Sequence, residues 1–337
     1  MSRDIGTDDA RVRVRPGKGS RPRTKRRPDR SGAPRAMVSA VDRGRYRLLT
    51  DDGAPLVAMK ARELGRGSVV VGDRVAVVGD LSGATGTLAR IVAVEPRRTT
   101  LRRSTEDGDA AGVERAVVAN ATQLVVVASL ADPPPRAGLI DRFLVAAYDA
   151  GMRPLLCLTK ADLADPGTIL PLYAALDLGV VVTRRGPDGG IIGLDDLLSA
   201  LHDEVSVLVG HSGVGKSTLV NALVPGAERS TGDVNAVTGR GRHTSSSAVA
   251  LALPGGGLVI DTPGIRSFGL AHVGPDDLMR GFPDLLGVAG DCPRGCTHGP
   301  DAPDCALDDW VRAAAGPEEA EHRLARLASY RRLLAAR

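Results

Sequence analysis

Aromatic side chains are scarce in this chain. Among 337 residues there are one Trp, four Tyr and three Phe. A core built almost without them must be filled by Val, Leu, Ile and Ala, and such a surface has little with which to stack on nucleic-acid bases. Long apolar runs are also missing. None approaches the roughly 20 residues that a membrane-spanning helix needs. The first residues are charged and have no apolar segment of the kind a secretory signal requires, so a cytoplasmic chain without a membrane partner is expected. Cysteine is limited to four residues. In that compartment they stay reduced, as ligands or packing rather than disulfides.

Charge is plentiful. The formal net charge is +4, but it is unevenly spread. Residues 1–35 hold twelve Lys or Arg against four Asp, so the remainder of the chain is net acidic. That stretch has no hydrophobic periodicity and is rich in Pro and Gly, which predicts a disordered arm. It is either a solvated tail or an arm that docks on nucleic-acid phosphates by counterion release.

From residue 36 the pattern becomes alternating. Five short runs, 36–43, 45–50, 55–60, 74–79 and 87–94, are separated by turn signals such as Asp51-Asp52-Gly53 and Gly72-Asp73. Five strands in so few residues fit a small β-barrel of the oligonucleotide-binding type (OB-fold type) over 36–100, though other small barrels share the pattern. Arg62, Arg66, Arg97, Arg98, Arg102 and Arg103 place positive charge in its loops and exit.

Beyond residue 117 buried strands alternate with helices, which predicts a doubly wound α/β sheet with its ligand at the carboxyl ends of the strands. The central stretch is Val205 to Val220. An apolar β-branched run is followed by Gly210, His211, Ser212, Gly213, Val214, Gly215, Lys216, Ser217 and Thr218. This is the spacing of a phosphate-binding loop between a strand and a helix. The glycines let backbone N–H groups point inward, and the helix adds its positive N-terminal end. Lys216 is expected to reach the β- and γ-phosphates, and the Ser217 hydroxyl to ligate Mg²⁺.

The nucleotide is indicated by Thr159, Lys160, Ala161 and Asp162, which follow another buried strand. A carboxylate there accepts from N1–H and the 2-amino group of guanine, whereas adenine offers no such donor pair. The tetrapeptide resembles the Asn-Lys-x-Asp motif of GTPases, with Thr159 in place of Asn. It precedes the phosphate loop, and Asp261-Thr262-Pro263-Gly264 follows it. The guanine half therefore comes first, the order expected of a circularly permuted GTPase domain over 101–267. Asp261 is a candidate Mg²⁺ ligand, and Gly264 can offer its N–H to the γ-phosphate. Ile265 stands where many GTPases orient water with glutamine. His243 in Gly241-Arg242-His243-Thr244 is the candidate to aid water attack, with Thr244 on Mg²⁺. The alternative is a solvent-exposed loop histidine.

Cys292, Cys296, His298 and Cys305 form C-x3-C-x-H-x6-C. Three thiolates and one imidazole fill a tetrahedral shell, as in a structural Zn²⁺ site. Cys157 falls inside a strand and is read as packing. Residues 268–337 are expected to be a mainly helical zinc module ending in a helix over 317–335. Its stripe is Leu324, Leu327, Tyr330 and Leu334, and Arg323, Arg326, Arg331 and Arg332 are read as available to solvent or a partner.

Together these motifs resemble the ribosome small subunit-dependent GTPase A family. Ile140-Asp141-Arg142-Phe143-Leu144, Gly210 to Ser217, Gly241 to Thr244 and Asp261 to Ile265 carry the resemblance. It implies a cytoplasmic, monomeric enzyme with GTP/GDP, Mg²⁺ and one structural Zn²⁺. It would hydrolyse GTP on the small (30S) ribosomal subunit, in contact with 16S-type rRNA, during late maturation. Departures from the family pattern are Thr159, His211 in place of Gln, and Val182-Thr183-Arg184 in place of a Ser-Ala-like base loop. An RNA-binding protein with a slow nucleotide switch and a P-loop ATPase are the rival readings.

Overall fold

The protein was analysed as a computed structural model, which describes residues 32–42, 44–65, 67–104, 114–226, 248–262, 270 and 273–337. Residues 34–337 form one compact unit. The expected basic arm, His243, Thr244 and Gly264 lie outside the described residues.

Strands β1 (Arg35–Asp42), β2 (Arg45–Thr50), β3 (Pro55–Lys60), β4 (Arg74–Gly79) and β5 (Ala89–Val94) pair in the order β1-β2-β3-β5-β4, and β4 returns to β1. The result is a closed five-stranded barrel. Its interior is the inward half of the alternation, with Val38, Leu48, Leu56, Val75, Val77 and Ile91 all buried. Closure removes the free edges that five short strands would otherwise expose.

A two-stranded ribbon follows, β6 (Thr100–Ser104) with β7 (Glu114–Ala119). Then come β8 (Gln123–Ser129), helix α1 (Ala137–Asp149), β9 (Arg153–Thr159), β10 (Gly179–Val182), a short hairpin of β11 (Arg184–Arg185) and β12 (Ile191–Ile192), and α2 (Leu194–Leu201). The phosphate-loop strand β13 (Val205–Val209) leads to α3 (Lys216–Leu223), and β14 (Val249–Ala252) and β15 (Leu258–Asp261) complete the sheet. Its order is β10-β9-β8-β13-β15-β14, with β14 antiparallel and the other neighbours parallel. One face packs on α2 and α3 through Leu197, Leu201, Leu219 and Leu223. The other packs on α1 and the C-terminal helices.

The α/β sheet does not end at β14. Val249 pairs with Ala40 of β1, so barrel and α/β sheet form one continuous sheet of eleven strands. A second attachment lies at Asn120. Its side chain donates to the Gly72 carbonyl and accepts from the Arg98 N–H. Gly72 has no alternative, because a Cβ there would sit 1.9 Å from the Ala119 carbonyl oxygen. Arg97 is anchored at the same junction. It pairs at 2.7 Å with Asp73, which is fully buried. The sequence reading of Arg97 as free loop charge is therefore corrected: the buried carboxylate claims it.

The C-terminal helices are α4 (Pro275–Met279), α5 (Pro283–Ala289), α6 (Ala306–Arg312) and α7 (Pro317–Ala336). Helix α7 lies against α1 and α4, with Leu327, Tyr330, Leu333 and Leu334 inward. Leu324 is 59% exposed and is not part of the buried stripe. Phe282 instead receives Tyr330 edge-on at 5.3 Å and the Arg326 guanidinium over its ring at 4.6 Å.

That contact overturns the expectation of a basic helix open to partners. Arg326 is 4% exposed and bonds to Asp284, Asp177 and the Ala175 carbonyl. Arg331 forms a two-pronged pair with Asp308, both bonds at 2.8 Å. Arg332 pairs with buried Asp141, and Arg323 with Glu319 and the Trp310 carbonyl. Carboxylates distant in sequence neutralise most of these cations, so the helix is a packed strut.

Candidate nucleotide site and metal cluster

The phosphate loop has the geometry its glycines allow. Gly210 passes so close to β8 that a Cβ would lie 2.3 Å from the Val127 carbonyl oxygen. Gly215 has a φ of 96° and forms the N-cap of α3. Lys216 begins that helix and curls back, donating to the Gly210 and His211 carbonyls at 2.5 and 3.0 Å. Those carbonyls hold the ammonium over the loop that would cradle phosphates. Burial lowers the Lys216 pKa from its ordinary value, and Asp261 opposes that shift. Asp261, at the end of β15, is buried. Its neighbour Thr262 donates to the Leu208 carbonyl at 2.8 Å, fixing this corner beside the loop strand.

Thr159 supplies the connection to the base side. Its hydroxyl donates to the Val214 carbonyl at 2.7 Å, tying the end of β9 to the phosphate loop. The residue that departs from Asn is thus directed at the loop backbone and not at solvent. Lys160 has a φ of 58° and donates to the Asp132 carbonyl. Ala161 N–H bonds to the Thr183 carbonyl at 3.2 Å.

Asp162 is exposed at the rim, and its carboxylate accepts from the Arg185 N–H at 3.0 Å. That bond, helped by Arg185 and Lys160 charge, holds its pKa below the usual carboxylate value. An ionised carboxylate is the form that accepts from two guanine donors. The segment from Thr183 to Arg185, where the sequence left the base contacts unassigned, is thereby placed beside Asp162.

Two features of the site were not read from sequence. The segment between β8 and α1 supplies Asp132 to Lys160, and Ser129 bonds to the Pro133 carbonyl at 2.6 Å. Pro133, Arg136, Ile140 and Phe143 line a cleft with His211 and Val214 of the phosphate loop. Pro133-Pro134-Pro135 was the available signal, since three successive prolines at a strand end restrict the backbone. The second feature is β14, which joins the nucleotide sheet to the barrel.

Cys292, Cys296, His298 and Cys305 come together, with their ligand atoms all within 4.8 Å of one another. Cys292 Sγ and Cys305 Sγ lie 4.0 Å apart, and their distances to His298 Nδ1 are 3.6 and 3.8 Å. A zinc–sulfur bond of about 2.3 Å gives a tetrahedron with edges of about 3.8 Å, so the donor set fits a closed zinc shell. Burial lowers the His298 pKa, favouring the neutral imidazole that ligates metal. Burial and then the neighbouring thiols push the Cys305 thiol up to about 11, and a dication in the shell would oppose that. Arg331 donates to the His298 carbonyl at 3.0 Å, so α7 braces the cluster. Cys157 is buried in β9 away from it.

Among the described residues, no helix is long and apolar enough to cross a membrane. A family model described as RsgA GTPase matches residues 94–271. The chain is 43% identical over 250 residues to the small ribosomal subunit biogenesis GTPase RsgA of Pseudomonas aeruginosa, covering 73% of this chain and 70% of that protein. It is 41% identical over 274 residues to the protein of the same name from Azotobacter vinelandii, covering 80% and 75%. Two solved structures share the fold at 23% identity and a TM-score of 0.60. YjeQ from Thermotoga maritima matches over 88% of this chain and 98% of its own. YloQ, described as a circularly permuted GTPase, matches over 88% and 95%.

Proposed function

The chain belongs to the RsgA GTPase family and is a GTP hydrolase, and from that premise we propose that it converts GTP to GDP and phosphate on the small (30S) ribosomal subunit during late maturation. The observation that carries the reading is the Thr159–Val214 bond, which makes the base motif and the phosphate loop one site. The two bacterial relatives, both small ribosomal subunit biogenesis GTPases by name, support the choice of partner. A cytoplasmic monomer in contact with 16S-type rRNA is part of the same proposal.

Each residue then has a role. Residues 210–218 cradle the phosphates with their N–H groups, and Lys216 neutralises charge that grows on the β–γ bridge. Asp162 accepts from guanine, the Lys160 stem covers the base, and Thr159 and Ala161 hold that loop in place. Ser217, Thr244 and Asp261 would hold the Mg²⁺ that accompanies the nucleotide. Gly264 would offer its N–H to the γ-phosphate, and His243 would orient the attacking water. Cys292, Cys296, His298 and Cys305 hold a structural zinc.

The domain proposal is a basic arm over 1–35, an OB-fold-like barrel over 36–100, the permuted GTPase over 101–267 and a mainly helical zinc module over 268–337. With Ile265 at the usual glutamine position, intrinsic turnover is slow. Docking on the subunit orders the water-positioning group and accelerates it. GTP turnover measured with and without purified small subunits tests this, with strong stimulation expected. Equal turnover in both conditions would overturn the subunit-dependent mechanism, and turnover of ATP in preference to GTP would overturn the base assignment.

A further inference from the structure

The donors of the base motif are largely engaged within the protein. Thr159 has one hydroxyl proton and directs it to the Val214 carbonyl at 2.7 Å. An asparagine amide in that place would keep a second N–H, whereas a hydroxyl has no other. Lys160 turns its ammonium to the Asp132 carbonyl, and the Thr183 carbonyl takes the Ala161 N–H. The ionised Asp162 carboxylate can only accept. Guanine offers it two donors, N1–H and the 2-amino group, but beside them lie two acceptors, O6 and N7. No side chain from Thr159 to Asp162 is left to donate to that pair.

Arg185 stands next to where such a donor is needed. Thr183 is fixed to β9, its N–H on the Leu158 carbonyl at 2.7 Å. Strands β11 and β12 then close a hairpin, with Arg184 opposite Ile192, Arg185 opposite Ile191 and the Gly186 N–H on the Gly190 carbonyl at 2.8 Å. Gly193 ends it against β10, where a Cβ would lie 2.3 Å from the Val182 carbonyl oxygen. Arg185 is thus carried on a braced turn, and its N–H meets the Asp162 carboxylate at 3.0 Å. Successive strand residues face opposite sides, and it is Arg185, not Arg184, whose charge acts on Asp162. The Arg185 side chain is exposed, with no carboxylate bonded to its guanidinium among the described residues. O6 neighbours N1 on the guanine ring, so a residue whose backbone touches the carboxylate that takes N1–H is within reach of O6. A planar fork of N–H donors on O6 and N7 is the commonest specific contact to guanine, and adenine puts an amino donor where O6 would be. We propose that the Arg185 guanidinium donates to O6 and N7 of the bound guanine, as a specificity-determining group supplying the donors that Thr159 lacks. The assignment rests on the guanine reading above.

The test compares the affinity of the full chain for GTP, 7-deaza-GTP (C–H in place of N7), ITP (no 2-amino group) and ATP. Wild type should bind 7-deaza-GTP about fivefold more weakly than GTP, as for loss of half a bidentate contact. Arg185→Ala should bind GTP about tenfold more weakly than wild type and should no longer distinguish it from 7-deaza-GTP. Its preference for GTP over ITP should persist, because Asp162 is untouched, and its melting temperature should equal that of wild type. Arg185→Lys keeps the charge without the fork and should leave most of the loss in place. Full recovery by lysine would reduce the role to charge beside Asp162 and overturn the proposal. An equal fall for both nucleotides in Arg185→Ala, with the N7 penalty intact, would make the side chain a cover for the base face and overturn it too. So would equal affinity of wild type for GTP and 7-deaza-GTP. Failure of the underlying reading looks different: a wild-type chain that binds ATP or ITP as tightly as GTP lacks the Asp162 contact itself, and this assignment falls with it.

Discussion

Arg326 on α7 and Arg47 on β2 come from equally charge-rich stretches of sequence, yet they have opposite surroundings. Arg326 lies over the Phe282 ring with two carboxylates on it, and one of them, Asp177, is 149 residues away. Arg47 faces solvent beside Val57 with no acid on its strand. The same contrast separates two whole regions. The C-terminal helices are closed, held by ion pairs to distant carboxylates and by a Cys/His cluster. The barrel face and the nucleotide rim are open, with exposed arginines and the exposed Asp162 carboxylate. Changes in the closed region should therefore alter stability, and changes in the open region should alter binding.

The largest effect should follow from the metal cluster. Cys305→Ser removes a buried member of the cluster, and zinc content should fall well below the proposed one per chain. The C-terminal helices should melt at lower temperature, because structural zinc binding contributes on the order of 10 kcal/mol in small units. Clean wild-type protein with far less than one zinc per chain would break this side of the comparison.

Arg326→Ala comes next. The guanidinium is buried but Asp177 and Asp284 are 77% and 36% exposed, so its loss removes packing on Phe282 and charged hydrogen bonds worth about 2 kcal/mol, and a clear fall in melting temperature is expected with GTP affinity unchanged. An unaltered melting temperature would mean that α7 is not held as described.

On the open side, Asp162→Asn should weaken GTP binding by about 2 kcal/mol, the scale of a charged hydrogen bond, and shift preference toward a xanthosine nucleotide. Stability should not change. Thr159→Val should lose about 1 kcal/mol of nucleotide affinity, the scale of a neutral hydrogen bond. That smaller loss would show the hydroxyl positioning the loop rather than touching the base.

The smallest effect is on pH dependence. The hydrogen bond and charge of Arg331 lower the Asp308 pKa below its ordinary 3.8. A carboxyl depressed in the folded state contributes stability above the unfolded value and loses it as pH falls through the folded one. The Asp308–Arg331 contribution should thus be present at neutral pH and fade below about pH 3.8. At this partly exposed site it is at most about 1 kcal/mol. The difference in melting temperature between wild type and Asp308→Asn should shrink toward acid, and a constant difference would contradict the pairing.

How much of this was legible in the sequence follows the same division. Strands β2, β3 and β4 lie where their alternation ends, and β13 and α3 where the phosphate loop requires them. Those are local patterns. Ribbon β6–β7 was hidden because Arg102 and Arg103 read as exit charge. Strand β14 is four residues of ordinary composition, and its pairing with Ala40 joins positions more than two hundred residues apart. The motifs singled out Thr159 and Asp162, but not the Val214 carbonyl that accepts from the first or the Arg185 N–H that donates to the second. The fate of the α7 arginines was illegible for the same reason. A cation's sequence neighbours do not say whether Asp141 will arrive from 191 residues away.

The proposed docking charge lies on the open barrel face and not on the closed C-terminal helix. It is tested most directly by titrating purified small subunits with two variants in the presence of a non-hydrolysable GTP analogue. Arg45→Ala with Arg47→Ala should lower subunit affinity at least several-fold without changing melting temperature. Arg323→Ala, on a helix whose arginines are already paired, should leave subunit affinity as in the wild type. Loss of affinity in the helix variant with none in the barrel variant would contradict the account.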